Sequence, residues 1–267
     1  MIGEWWALLL VAVGACAAMM TALHAYATSR RDASVVDAGW GYGLALCAVL
    51  YAILADGQPE HRALVGALAG LTGVKIGTYV LWFRVLGKEE DGRYRTLRAK
   101  WGERADRRFF VFFQAQGLLD VALSVPFLFA ALNPGDGLEP LELGGLGLWA
   151  VATAGETVAD RQLTRFRGDP VNRGKVMNRG LWRYSRHPNY FFQILTWVAF
   201  ALVATAAPWG WTGWLAPVLI TISILFVTGI PPTEAQALAS RGEAYREYQR
   251  TTSPLVPWFP QNRPGRR

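Results

Sequence analysis

Apolar stretches of about twenty residues, almost free of charge, recur along this chain and leave it few ways to fold. A helix of roughly 20 apolar residues spans the hydrocarbon of a bilayer, and there it satisfies its own backbone hydrogen bonds. Seven such stretches are found, at 5–26, 36–55, 63–84, 109–132, 143–163, 190–207 and 210–230. The first is too long and too rich in tryptophan at its start for a cleaved signal peptide, so it is read as a retained helix. The expected fold is all-α: a polytopic membrane helix bundle with seven transmembrane helices. The segments between spans are short, so the chain is expected to form a single integral membrane domain.

The cations orient the bundle. Of 27 Lys and Arg, all but Arg62 and Lys75 fall at or beyond the ends of spans one, three and five, or in the tail. The alternate loops carry Asp56, Glu60, Asp136, Glu139 and Glu142. The positive-inside rule then places the N-terminus outside and the C-terminus in the cytoplasm. The net charge of +7 reflects topology and contact with anionic membrane lipids, and nucleic acid is not an expected partner. Cys16 and Cys47 both lie inside apolar spans and the three histidines are scattered, so neither a disulfide framework nor a metal site is expected.

Several local features can be read at the same level. Residues 88–101 form a mixed-charge loop with an amphipathic piece suited to the headgroups. Asn133-Pro134-Gly135-Asp136-Gly137 reads as a plain turn. Pro231-Pro232 closes span seven, and Thr233 is expected to cap a cytoplasmic helix running to about Arg250. Residues 260–267 read as a disordered tail.

Polar groups inside the spans mark cavities or partners. Asp37 opens span two in Asp37-Ala38-Gly39-Trp40-Gly41-Tyr42-Gly43, where the glycines permit close helix approach and the aromatics can wall a flat pocket. Gln114, Gln116 and Asp120 lie in span four, and Lys75 can partner an intramembrane acid. Glu156 and Asp160 share a face near the end of span five, followed by Arg161, Arg165 and Arg167. From Arg161 to Arg186 eight Arg or Lys stand against one acid, Asp169. Arg183-Tyr184-Ser185-Arg186-His187-Pro188-Asn189-Tyr190 then runs directly into span six. Such a cationic surface suits phosphates, which guanidinium groups grip in bidentate fashion. No glycine-rich phosphate loop is present.

The runs Asp37-Ala-Gly-Trp-Gly, Glu90-Asp-Gly-Arg-Tyr, Arg183-Tyr-Ser-Arg-His-Pro-Asn-Tyr and Tyr245-Arg-Glu-Tyr-Gln-Arg-Thr-Thr-Ser resemble the bacterial branch of the steroid 5-alpha-reductase family. The C-terminal half of that family is shared with sterol reductases and, more distantly, isoprenylcysteine carboxyl methyltransferases. The resemblance implies a seven-span bundle holding NADPH in a polar cytoplasmic cavity, with residues 143–258 as the cofactor-binding half and 1–132 as substrate-side helices. Asp160, Arg167, Trp182, Asn189 and Tyr190 match cofactor positions, with Asn189 near the nicotinamide amide. Glu234 and Tyr248 fall in the tail that folds over the nucleotide, and Arg93 matches a phosphate contact. With Glu156, Arg165, Tyr184, Arg186, His187 and Tyr245, these make the expected cofactor set. The implied activity is NADPH-dependent reduction of the carbon–carbon double bond of a hydrophobic, steroid-like enone entering from lipid. The place would be a bacterial inner membrane, with the cofactor site facing the cytoplasm. Asp37, held protonated by apolar surroundings, with Tyr79 and Gln116, is the expected group at the substrate oxygen. The family often has a Glu where this chain has Gln193, and the tyrosine that holds the ketone falls at Thr72. A membrane methyltransferase using S-adenosylmethionine and a transporter remain the alternatives.

Overall fold

The computed structural model describes residues 1–261. It is 79% helical, with no strand among the described residues. The helices are α1 (Trp5–Arg30), α2 (Val35–Leu54), α3 (Pro59–Val80), α4 (Gly92–Trp101), α5 (Ala105–Leu123) and α6 (Val125–Ala131). They continue with α7 (Pro140–Gly168), α8 (Pro188–Thr205), α9 (Leu215–Ile222), α10 (Ile230–Arg241) and α11 (Glu243–Thr251). One π-helical turn extends α3 through Leu81–Val85 and another extends α9 through Ser223–Val227.

Five helical segments are long and apolar enough to cross a membrane: Trp5–Arg30, Val35–Leu54, Pro59–Val85, Pro188–Thr205 and Gly210–Arg241. The pair Gly92–Leu123 and Val125–Ala131 makes a sixth if its 42° bend lies within one span. The bend falls at Ser124, just before Pro126, whose ring cannot continue an unbroken helix. The stretch 143–163 is helical, inside α7, but is not among these segments. Glu156, Asp160 and Arg161 lower its apolarity.

The chain divides into two compact units. The first comprises Met1–Leu143 with Phe200–Ala216, and the second Gly144–Ala199 with the residues from Pro217 onward. In the first unit, the three alternating glycines of α2 each face a different helix. A Cβ on Gly39 would meet Leu23 of α1, and one on Gly43 would meet the Asp120 carboxyl of α5. A Cβ on Gly41 would lie 2.8 Å from the Gly77 Cα and 2.9 Å from the Gly73 oxygen of α3. Small residues therefore let three helices close on α2, as the pattern predicted.

At one end of this unit, His61 and Glu142 are fully buried and 2.6 Å apart. The other imidazole nitrogen reaches the Gly135 carbonyl at 2.9 Å. Gln58 and Glu60 hold the same loop through Asp136 and the Gly137 amide. The 133–137 segment is thus not a plain turn but is pinned to the start of α3. At the other end, Asp91 caps α4 by accepting from the Arg93 amide at 2.9 Å. Glu90 accepts from the Ala33 amide and pairs with Arg98, both at 2.8 Å.

Two expectations for the C-terminal region are corrected. Thr233 does not cap a helix, because α10 begins at Ile230 with the prolines in its first turn, where their missing amide hydrogens cost nothing. The helix expected to reach Arg250 is broken at Gly242, whose φ of +53° separates α10 from α11. Of the expected disordered tail, Pro260 and Gln261 are placed, and the Gln261 amide donates to the Thr251 carbonyl at 2.9 Å. Residues 262–267 lie outside the described residues.

Candidate functional site

In the second unit the polar residues converge from four separate pieces of chain. The ring of Phe192 lies against Gly155, where a Cβ would collide with it, so α7 and the start of α8 approach closely. This brings Asp160 beside Asn189, whose amide nitrogen donates to the carboxylate at 3.2 Å. The segment between the helices folds back on α7. Leu181 N donates to the Gln162 side chain at 3.0 Å, and the buried Trp182 indole donates to the Ala159 carbonyl at 3.0 Å.

Glu234, one turn into α10, is the centre of the cluster. Its carboxylate accepts from Arg186 Nε at 2.7 Å, Gln249 Nε2 at 2.7 Å and Tyr245 Oη at 3.4 Å. His187 Nε2 lies 3.2 Å from the same carboxylate, and the His187 ring stacks on Tyr190 at 5.3 Å. The Tyr190 hydroxyl meets the Thr233 hydroxyl at 3.2 Å. Tyr248 donates to the Trp182 and Ser185 carbonyls. Burial, with the Glu234 carboxylate next, pushes the Tyr245 phenol up to about 12. Burial also raises the Tyr248 phenol. Both therefore act as neutral hydrogen-bond donors near pH 7.

Arg186 is not free to reach a ligand. Besides Glu234 it donates to the Gln249 and Thr252 carbonyls at 3.0 and 2.6 Å, while its amide donates to Ser253 O. It closes the end of α11, so its role here is positional. Tyr184 is partly exposed and stands edge-on to Phe259 at 6.0 Å. Arg165 and Arg167 are exposed near the end of α7, and Glu156 is half-buried one turn before Asp160.

One atom of this unit stands out. Asn189 Oδ1 is buried and has no hydrogen-bond partner among the described residues. An amide oxygen left so costs about 1–3 kcal/mol. The oxygen suits a ligand N–H, and the adjoining Asp160 carboxylate suits ligand hydroxyls. Arg165 and Arg167 suit phosphates. The donor set thus fits a phosphorylated nucleotide that carries a carboxamide. Among the described residues no group of three or more His, Cys, Asp or Glu could hold a metal ion.

The expected catalytic residues all lie in the first unit, on α2, α3 and α5. Asp37, in the first turn of α2, accepts from Tyr94 Oη at 2.6 Å and Arg93 Nη2 at 2.8 Å. Its surroundings are therefore polar rather than apolar. Arg93, expected at a phosphate, is engaged by Asp37 and Asp91. Tyr79 is exposed and lies 4.9 Å from the Phe83 ring. Gln116 sits half-buried on α5, one turn before Asp120. Asp120 is fully buried, and neither carboxyl oxygen has a hydrogen-bond partner among the described residues.

Sequence reasoning did not assign Tyr94 or Gln249. Tyr94 is the last residue of the Glu90–Tyr94 run, and Gln249 follows Tyr248 directly, so both stood within recognised motifs. The family described as "Protein of unknown function (DUF1295)" matches residues 23–252. The chain belongs to that family. No curated protein and no solved structure matches it. Every residue of the Glu234 and Asp37 clusters falls within the part matched by DUF1295.

Proposed function

We propose that this DUF1295 protein is a membrane oxidoreductase that uses NADPH to reduce the carbon–carbon double bond of a hydrophobic enone. The observation that carries the proposal is the unpartnered Asn189 Oδ1 beside Asp160, in a cluster reached by a strongly cationic stretch. The resemblance to steroid 5-alpha-reductases supplies the identity of cofactor and substrate. In this reading seven spans place the N-terminus outside and the cluster in the cytoplasm, and α7 is the polar span that lines the site.

NADPH, when bound, supplies the hydride. Asn189 orients the carboxamide, Asp160 and Glu156 take ribose hydroxyls, and Arg165 and Arg167 take phosphates. Glu234 holds Arg186, His187, Tyr245 and Gln249 in place, while Tyr190 and Trp182 wall the cavity. At the substrate, negative charge develops on the ketone oxygen, and a placed donor stabilises it. Tyr94 Oη can serve as that donor when its single proton, which here goes to Asp37, turns to the ketone oxygen instead. Tyr79 and Gln116 are assigned to the substrate-side wall.

Thermal stabilisation of the purified protein tests the reading, because a ligand that binds only the folded state adds about 2.7 kcal/mol at a hundred times its Kd. NADPH is expected to raise the melting temperature while S-adenosylmethionine does not. Stabilisation by S-adenosylmethionine alone would transfer the site to methyl transfer, and no response to NADPH would sink the cofactor assignment.

A further inference from the structure

A pocket in the first unit carries a different chemistry. A cavity of about 670 Å³ opens where the end of α1, the start of α2 and the turn after α3 meet. That volume lies within the range of small-molecule sites, roughly 300–1,000 Å³. Its walls carry the cations Arg30, Arg31 and Lys88, with Tyr26, Val35 and Leu86 as apolar surface.

The acids of the wall are largely engaged. Glu89 pairs with Arg95 at 3.0 Å, and Glu90 pairs with Arg98. Asp32 accepts from the Ser34 amide at 2.9 Å. Arg30, Arg31 and Lys88 have no carboxylate at ion-pair distance among the described residues, and Arg30 rests over the Tyr26 ring at 5.8 Å. Removing the two pairs from the count leaves three cations against Asp32. The carbonyls of Ala27 and Thr28 at the end of α1 already accept from the Arg31 and Asp32 amides, so they do not repel an anion freely.

Position selects the ligand. Arg30 and Arg31 end a 26-residue apolar helix, which places the cavity at the level where lipid headgroups lie. Guanidinium and ammonium groups over apolar surface suit a phosphate carried on an apolar stem. We propose that this cavity binds the phosphate of an anionic membrane phospholipid. The proposal is independent of the cofactor reading, since it concerns other residues in the other unit.

Native mass spectrometry of the full chain in neutral detergent, with added phosphatidylglycerol or phosphatidylcholine, tests it. Phosphatidylglycerol is expected to be retained and phosphatidylcholine not. The Arg31→Gln/Lys88→Gln double variant is expected to lower retention about tenfold or more. Glu89→Gln, which releases Arg95 toward the cavity, is expected to raise retention and serves if the double variant does not fold. Unchanged retention in either variant overturns the proposal. Equal retention of both lipids, or loss of the lipid to millimolar inorganic phosphate, overturns it as well, the last by making the source a soluble phosphate.

Discussion

Replacing Glu234 with alanine tests whether its carboxylate organises the second unit. The substitution removes the shared acceptor of Arg186, His187, Tyr245 and Gln249. The Arg186 side chain is only 10% exposed, so its charge would lose its counter-ion in a poorly solvated place. Removing one partner of a buried pair costs about 3–5 kcal/mol. Arg186 keeps two carbonyl acceptors, Gln249 O and Thr252 O, and Glu234 is itself 14% exposed, so the lower end, about 3 kcal/mol, is the expected loss. For a chain of this size about 2–4 °C accompanies each kcal/mol, giving a fall of roughly 6–12 °C in Tm. Glu234→Gln keeps an acceptor oxygen and loses the charge, so about 1–2 kcal/mol is expected. Tryptophan fluorescence on heating, in one detergent and at one protein concentration, measures both. An alanine variant melting within about 2 °C of the parent would refute the reasoning.

Asn189→Ala is expected to weaken NADPH binding by about tenfold or more, because the amide proposed to hold the carboxamide is lost; an unchanged Kd by titration removes the site assignment. Asp37→Asn is expected to cut turnover of an identified enone by about 10²–10⁴-fold with little change in NADPH affinity. Near-normal turnover would remove Asp37 and Tyr94 from the chemistry. Gly41→Ala is expected to cost about 1–3 kcal/mol by forcing α2 from α3. Gly14→Ala, where an added Cβ meets nothing within 4 Å, serves as its control. Equal melting of the two variants would show that the α2–α3 contact is not tight.

The helices were legible because hydropathy and length act locally, and Pro59, Pro140 and Pro188 each stand at a helix start where proline is tolerated. The misreadings share a cause: a local signal with two possible outcomes. Pro231-Pro232 ends an apolar run but also begins a helix, so α10 starts three residues before Thr233, and the threonine hydroxyl goes to Tyr190 instead. Gly242 carries the left-handed signal of a helix end, yet Arg241 and Glu243 on either side are good helix formers and by themselves favour an unbroken helix. Pairings across long sequence gaps left no local trace. His61 and Glu142 stand 81 residues apart, and nothing in either neighbourhood announces that each buries the other.

The arginines show the same limit in the candidate site. Eight cations between 161 and 186 identify an anion-binding surface by composition, but composition does not say which side chains face outward. Arg186 sits among Ser185, His187 and the end of α11, where one acceptor from α10 and two from the end of α11 converge, and its guanidinium closes the fold. Arg165 and Arg167 stand on the last turns of α7, are exposed, and remain suited to a phosphate. Spacing singles out Asp160 beside Glu156 but does not join it to Asn189, which stands 29 positions further along the chain. The structure adds what neither spacing nor resemblance contains, namely that one amide oxygen of the pair is enclosed without a donor. Folding leaves few such atoms unsatisfied, and that makes Asn189 the residue on which a ligand would register first.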